Sequence, residues 1–416
     1  MPKQDKNIRR AAVSILRAWS KGHLYADTLI DRHARKNKLS SSDRGLLNAI
    51  ILAVLRNRRL LDFYIARLRK GKLDHETRDI LRVGLAQILI LGIPDHAAVN
   101  ETVNCGRASV RGLINAVLRQ AIERRQSLQS NAQKLPPAER FSHPDWLAKR
   151  WRKQFHKDKA ATLMEWNNQP AETTLRLNPL RSDSAALATD PRLTALSEQS
   201  EFFLLDGPVP SEWTEKGLIY ITDPATRLSV ELLAPQAGEA VLDACAAPGG
   251  KAAYIAAKME NQGSLLCTDS NELRIPRLEE NLTNLGVNNS QIEVFDWTKS
   301  PPSEWHNHFD AILLDVPCSN TGVLRRRVDA RWRISPEQIE ELTQIQTLIL
   351  QNALTCLKPE GRLVYSTCSI ESEENEELVA AFAESNQLQI VATKQSLPHR
   401  DQQDGAFATL LKRRAE

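Results

Sequence analysis

The stretch EAVLDACAAPGGKAAYIAAKM, Glu239–Met259, runs from an apolar segment through a glycine turn into an alanine-rich one. Its first part reads as a buried strand ending on Asp243, and GGKAAYIAAKM as the helix that follows. The alternation continues downstream. GSLLCTD and QIEVFD read as strands flanking the helix ELRIPRLEENLTNLG, with Pro276 in its first turn. AILLD and GRLVYSTCS are further strands, separated by SPEQIEELTQIQTLILQNALTCL, an amphipathic helix opened by a serine N-cap and a proline. The helix EENEELVAAFAESN and the strand AFATLLKR follow. Strand alternating with helix argues a parallel doubly wound sheet over residues 235–416.

In open α/β sheets, ligands bind beyond the carboxyl ends of the strands, near the point where strand order reverses. Those ends carry the unusual residues here. Cys245, Ala246, Ala247, Pro248, Gly249, Gly250 and Lys251 follow the first strand, and the glycines let a backbone come close to a ligand. The loop is not a Walker A motif, which needs glycine at Cys245 and Ser or Thr after Lys251. Nor is it G-x-G-x-x-G. Asp269 closes the second strand 26 residues after Asp243, where an acid can bind ribose hydroxyls. Asp296 closes the third, where a carboxylate can accept from an adenine amino group, and Arg274 joins the expected set. These residues suit an adenosine ligand without phosphates, and S-adenosylmethionine is such a ligand.

The stretch LLDVPCSN, Leu313–Asn320, ends the AILLD strand on Asp315. Pro317 stops the pairing, so Cys318 opens a loop rather than filling a core. A second cysteine, Cys368, stands in YSTCS at the end of the next strand. As neighbouring strands these would lie ~4.8 Å apart, with both cysteines on adjacent loops over one sheet edge. A thiolate there would be a strong nucleophile near neutral pH, and Asp315 and Lys251 would stand beside it. The bland alternative is a pair of structural thiols. Spacing alone does not divide roles between the two.

The N-terminal part is of another kind. From Ile8 to about Arg125, apolar residues recur at three- and four-residue steps, as in Ile8, Ala11, Ala12, Ile15, Leu16 and Trp19, which reads as a compact all-α unit. Ser41, Ser42 and Asp43 offer N-cap chemistry before GLLNAIILAVLRNRRLLDFYIARL. Residues 1–130 hold 25 Lys+Arg against 11 Asp+Glu, while the remainder holds 30 against 40. The basic clusters RHARKNK, RNRR and RLRKGK suggest a polyanionic partner, nucleic acid, and the alternative is a soluble domain with basic faces.

Between the two lies a third region, 131–234. QSLQSNAQKLPPAER reads as a linker, and TTLRLNPL, EFFLLDG and DPATRLSVELLA as a small α/β module. Trp146 and Trp151, interleaved with Lys149, Arg150, Arg152 and Lys153, would either stack on bases or pack in a seam. The longest apolar runs fall short of the ~18 residues of a membrane span, and Met1–Arg10 lacks the apolar centre of a secretory signal. Six cysteines without a C-x-x-C pair make neither a disulfide framework nor a zinc site. A cytoplasmic, metal-free monomer is expected.

LSSSDRGLLNAIILAVLRNRRLLD, LRVGLAQILILGIPDHAAVNETV and GLINAVLRQ resemble the NusB-like helical RNA-binding domain, over residues 5–130. DACAAPGGK, DVPCSNTG and YSTCS, with HPDW at 143–146 and LRLNPL at 175–180, resemble the RsmB/NOP-type RNA cytosine-5 methyltransferases. Both together are most similar to the bacterial RsmB group, which methylates small-subunit ribosomal RNA. The resemblance implies a Rossmann-like methyltransferase core using S-adenosylmethionine. It makes Cys368 the nucleophile and Cys318 the residue that assists product release. Val316 stands where the family often has alanine, and RRRVDARW at 325–332 matches only loosely. Methylation of transfer RNA by the same chemistry, and a non-catalytic assembly or antitermination factor, are the competing readings.

Overall fold

The computed structural model describes residues 7–22, 24–197 and 200–414, which group into two compact units. One unit runs up to Gln169 and takes in Leu324–Arg333; the other holds Pro170–Val323 and the chain from Ile334.

The first unit opens with the helices Ile8–Lys21, Ala26–Asn37, Ser41–Arg56, Arg58–Leu68, His75–Leu89, Asp95–Val103 and Ala108–Glu123. Side-chain oxygens satisfy free amides at their starts: Asn7 accepts from Arg9 N at 2.9 Å and Asp74 from Thr77 N at 2.9 Å. Ser40, one residue ahead of the expected caps, accepts from Asp43 N. Asn57, at φ −115° and ψ 23°, divides the stretch GLLNAIILAVLRNRRLLDFYIARL between two of these helices. Leu47, Ile51, Leu61 and Leu81 are wholly buried. Each contributes about 1.5–3 kcal/mol of hydrophobic stabilisation.

The segment expected as a linker is helical and belongs to this unit. Arg125–Gln133 turns Leu128 and Ala132 inward, four residues apart, so a polar sequence still presents one apolar stripe. Short helices Pro137–Arg140, Asp145–Phe155 and Lys157–Asn168 follow. Trp151 is wholly buried with its ring against His143, so packing and not base stacking occupies it. Trp146 is half-buried.

Leu324–Arg333 completes the same core. Val328 is buried among its apolar residues, and Trp332 donates its indole N–H to Leu55 O at 2.8 Å. Arg331, wholly buried, donates to the carbonyls of Asn167 and Leu324 and to Asn168 Oδ1. Among the basic clusters, RNRR also turns to structure: Arg56 donates to Arg325 O, Arg58 lies over the Trp19 and Trp332 rings, and Arg59 pairs with Asp145. Arg32, Arg35, Lys36 and Lys38 of RHARKNK, and Arg67, Lys70 and Lys72 of RLRKGK, lie at least partly open to solvent.

The second unit contains two sheets. Strands β1 (Thr174–Leu177), β2 (Leu193–Ala195), β3 (Phe202–Leu205) and β4 (Ile219–Ile221) form a small antiparallel sheet in the order β2-β3-β1-β4. The large sheet comprises β5 (Ala240–Asp243), β6 (Ser264–Asp269), β7 (Ser290–Val294), β8 (Phe309–Asp315), β9 (Leu357–Thr367), β10 (Leu388–Ser396) and β11 (Ala406–Arg413). Its order is β10-β11-β9-β8-β5-β6-β7. Strands β5 to β9 pair in parallel, while β11 joins β9 and β10 antiparallel, so the sheet is mixed and not wholly parallel. Strand β10 was not legible because it is an edge strand, exposed along Gln389–Val391 and irregular in register between Ile390 and Ala392. Strand order reverses between β5 and β8, which end on Asp243 and Asp315.

Candidate active site

Strands β8 and β9 pair with Asp315 opposite Ser366, as expected for the AILLD and GRLVYST segments. Their continuations bring Cys318 and Cys368 together, with the two sulfurs 3.2 Å apart. Cys368 also contacts Asn320 Oδ1, whose amide nitrogen donates to Cys318 O at 2.7 Å. Close backbone approach locks the loops. Gly322 N donates to Cys368 O at 3.0 Å, Gly405 N donates to Gly322 O at 2.8 Å, and a Cβ on Gly322 would fall 2.7 Å from Cys368 O.

Beneath them lies a residue the sequence reading missed. Glu374 is wholly buried. Its carboxylate accepts from Ser319 N, Ser319 Oγ, Gln346 Nε2 and Ser369 Oγ, so one acid ties both cysteine loops and the helix Pro336–Leu354. Gln346 further donates to Pro317 O at 2.9 Å. Glu374 stands in EENEE, which locally reads as a solvated helix start. No local signal separates it from Glu373 or Glu376.

Lys251 reaches the end of β8 from the helix Gly250–Lys258, and its ammonium pairs with Asp315 Oδ1. Ser366 Oγ lies within hydrogen-bonding reach of both. A cavity of about 260 Å³ opens here, lined by Asp243, Cys245, Ala246, Ala247, Pro248, Gly250, Lys251, Asp315 and Cys368, with Arg176 and Tyr220 from the small sheet. The glycines are needed. Gly249 has φ +107°, and a Cβ on Gly250 would stand 2.4 Å from the Tyr220 ring. Asp243 is wholly buried, and its carboxyl is pushed up to about 7, first by burial and then by the nearby Asp315. Burial and the same acids hold the Cys245 thiol far above its ordinary value.

Asp269, Arg274 and Asp296 stand outside the lining of that cavity. Arg274 pairs with Asp269 Oδ2 at 2.9 Å and donates to Ala247 O, which brings these two against the glycine loop. Asp269 Oδ1 also accepts from Asn271 N. Asp296 accepts from Thr298 N and Oγ1, a local turn that draws its carboxyl below the usual range.

Residues 230–412 match the family described as 16S rRNA methyltransferase RsmB/F, residues 6–123 the NusB family, and residues 143–193 the ferredoxin-like domain of RsmF/B-like methyltransferases. The chain is 34% identical to a ribosomal RNA small subunit methyltransferase B of Klebsiella pneumoniae subsp. pneumoniae, across 99% of this chain and 100% of that protein. The chain belongs to the RsmB/F methyltransferase family. A probable ribosomal RNA small subunit methyltransferase B of Bacillus subtilis is 29% identical, over 91% of this chain and 89% of the relative. The crystal structure of NSun6 from Pyrococcus horikoshii with SFG shares the fold, with TM-score 0.60 and 21% identity over 66% of this chain and 99% of that one.

As an RsmB/F protein the chain is a methyltransferase, and S-adenosylmethionine is its methyl donor. The open, glycine-built loop and the cavity beside it agree with such a ligand. Among the described residues, no group of His, Cys, Asp and Glu is arranged to hold a metal ion, and no helix is long and apolar enough to cross a membrane.

Proposed function

We propose that the enzyme methylates carbon 5 of a cytosine in small-subunit ribosomal RNA through a covalent cysteine adduct. One observation carries this reading: two thiols 3.2 Å apart, one of them lining the cavity that Lys251 and Asp315 share. Carbon 5 of cytosine is a weak nucleophile, and no side chain can deprotonate it directly. A thiolate adding to carbon 6 pushes electrons through the ring to carbon 5 and N3. The names of the relatives support ribosomal RNA as the substrate.

Cys368 would form the carbon–sulfur bond at C6. The Lys251–Asp315 pair would hold N3 and stabilise the charge that develops there. The loop 245–251, with Asp269, Arg274 and Asp296, would hold the donor. Bound there, S-adenosylmethionine supplies an electrophilic methyl group, which carbon 5 takes up. Cys318, its own proton first passed to solvent, would then take the proton from carbon 5 as a thiolate, the C5–C6 double bond would re-form, and the Cys368 sulfur would leave as a thiolate.

The hydrogen bond with Cys368, ahead of burial, holds the Cys318 thiol well above its ordinary value, so Cys318 keeps its proton in the resting site. Bisulfite sequencing of ribosomal RNA from cells with and without the gene tests the proposal. One cytosine should lose its protection, and an unchanged pattern in all RNA would refute it.

A further inference from the structure

Among the described residues, Arg176 is a buried cation with no carboxylate paired to it. It lies in β1 of the small sheet, is 2% exposed, and lines the cavity that also holds Asp243, Asp315 and Cys368. Its guanidinium rests on the Tyr254 ring, 4.0 Å from the centroid, and its Nη1 is buried with no hydrogen-bond partner among those residues. A guanidinium presents five donors in a rigid fork suited to a carboxylate. Burying one unpaired is costly unless a ligand completes it. Burial draws its pKa down to about 10.

The cavity therefore joins a guanidinium from one sheet to Asp243 and to the Lys251–Asp315 pair at the strand ends of the other. A phosphate would meet the guanidinium but also the buried Asp243, which carries no ion pair among the described residues. A zwitterionic α-amino acid satisfies both, with its carboxylate on the arginine and its ammonium toward Asp243. We propose that Arg176 binds the methionine carboxylate of S-adenosylmethionine, so that the small α/β module completes the donor site. This rests on the identity of the donor and not on the position methylated.

Calorimetry without RNA tests it, using S-adenosylmethionine, S-adenosylhomocysteine and 5′-methylthioadenosine, which lacks the amino-acid end. Arg176→Gln should weaken the first two by about ten- to a hundredfold, the range for a lost charge-assisted hydrogen bond, and leave the third unchanged. Arg176→Lys should recover part of the loss. If Arg176→Gln does not fold, as thermal unfolding would report, Arg176→Lys alone must still separate the ligands. Equal weakening of all three would make Arg176 a packing residue and overturn the proposal. Unchanged affinity for all three ligands would also overturn it, and a gel shift with RNA would then show whether Arg176 serves a phosphate instead.

Discussion

The indole nitrogen of Trp19 donates to Asp329 Oδ2 over 3.0 Å, joining residues 310 positions apart. The same oxygen accepts from Ala26 N at 2.7 Å. Asp329 follows the Cys318 loop in the chain, yet it folds into the helical unit.

Asp329→Ala should therefore destabilise the helical unit, by about 1–3 kcal/mol for each buried donor left without an acceptor. Denaturant unfolding of the full chain measures this. For the same reason a chain beginning at Phe141 should aggregate, because Val328, Arg331 and Trp332 would lose their core. A well-folded monomer from that truncation would contradict the assignment.

The two thiols should separate in a denaturing gel with RNA. Cys368→Ala should form no adduct and transfer no methyl group. Cys318→Ala should transfer methyl once and then stall, attached to RNA through Cys368, and only when S-adenosylmethionine is present. The opposite pattern would exchange the roles. Normal turnover by either variant would remove that thiol from the reaction.

Glu374→Ala should loosen both cysteine loops at once. Four donors lose their acceptor, with an expected cost of about 2–5 kcal/mol and a fall in kcat larger than any change in donor affinity. Glu374→Gln, which keeps one oxygen, should lie between. Thermal unfolding with single-turnover kinetics reads both effects.

Asp243 should make stability depend on pH. Its carboxyl rises from 3.8 to about 7 in the folded chain, so the native state keeps a proton that the unfolded state loses across that window. Stability is full below pH 3.8 and falls as pH rises toward 7. The whole effect is about 4 kcal/mol. Asp243→Asn should abolish this slope and be more stable than the parent at pH 8, while binding S-adenosylmethionine more weakly. Urea unfolding between pH 4.5 and 8 checks it, and parallel curves for both proteins would refute it.

RNA affinity should depend on salt through the exposed basic clusters. Replacing Arg32, Arg35, Lys36 and Lys38 with glutamine should flatten the plot of log affinity against log salt, by roughly 0.7–0.9 for each phosphate no longer neutralised. Unchanged slope would show that RNA binds elsewhere.

Sequence alone determined the alternation of strand and helix, the glycine loop at Cys245–Lys251, and the placing of Asp315, Cys318 and Cys368 at two strand ends. Those features are local, since period, proline and glycine act within a few residues, and parallel pairing then carries the strand ends to one edge. Tertiary structure alone decided three others. EENEE reads as a solvated helix start until Glu374 meets Ser319 and Gln346. RNRR reads as a basic cluster until Arg58 lies over the Trp19 and Trp332 rings and Arg59 pairs with Asp145. Arg176 reads as one polar residue in a short strand until the small sheet places it in the cavity with Asp243 and Asp315. In each case the charge is set among groups distant in sequence, and no period or spacing encodes which neighbours a buried charge will find.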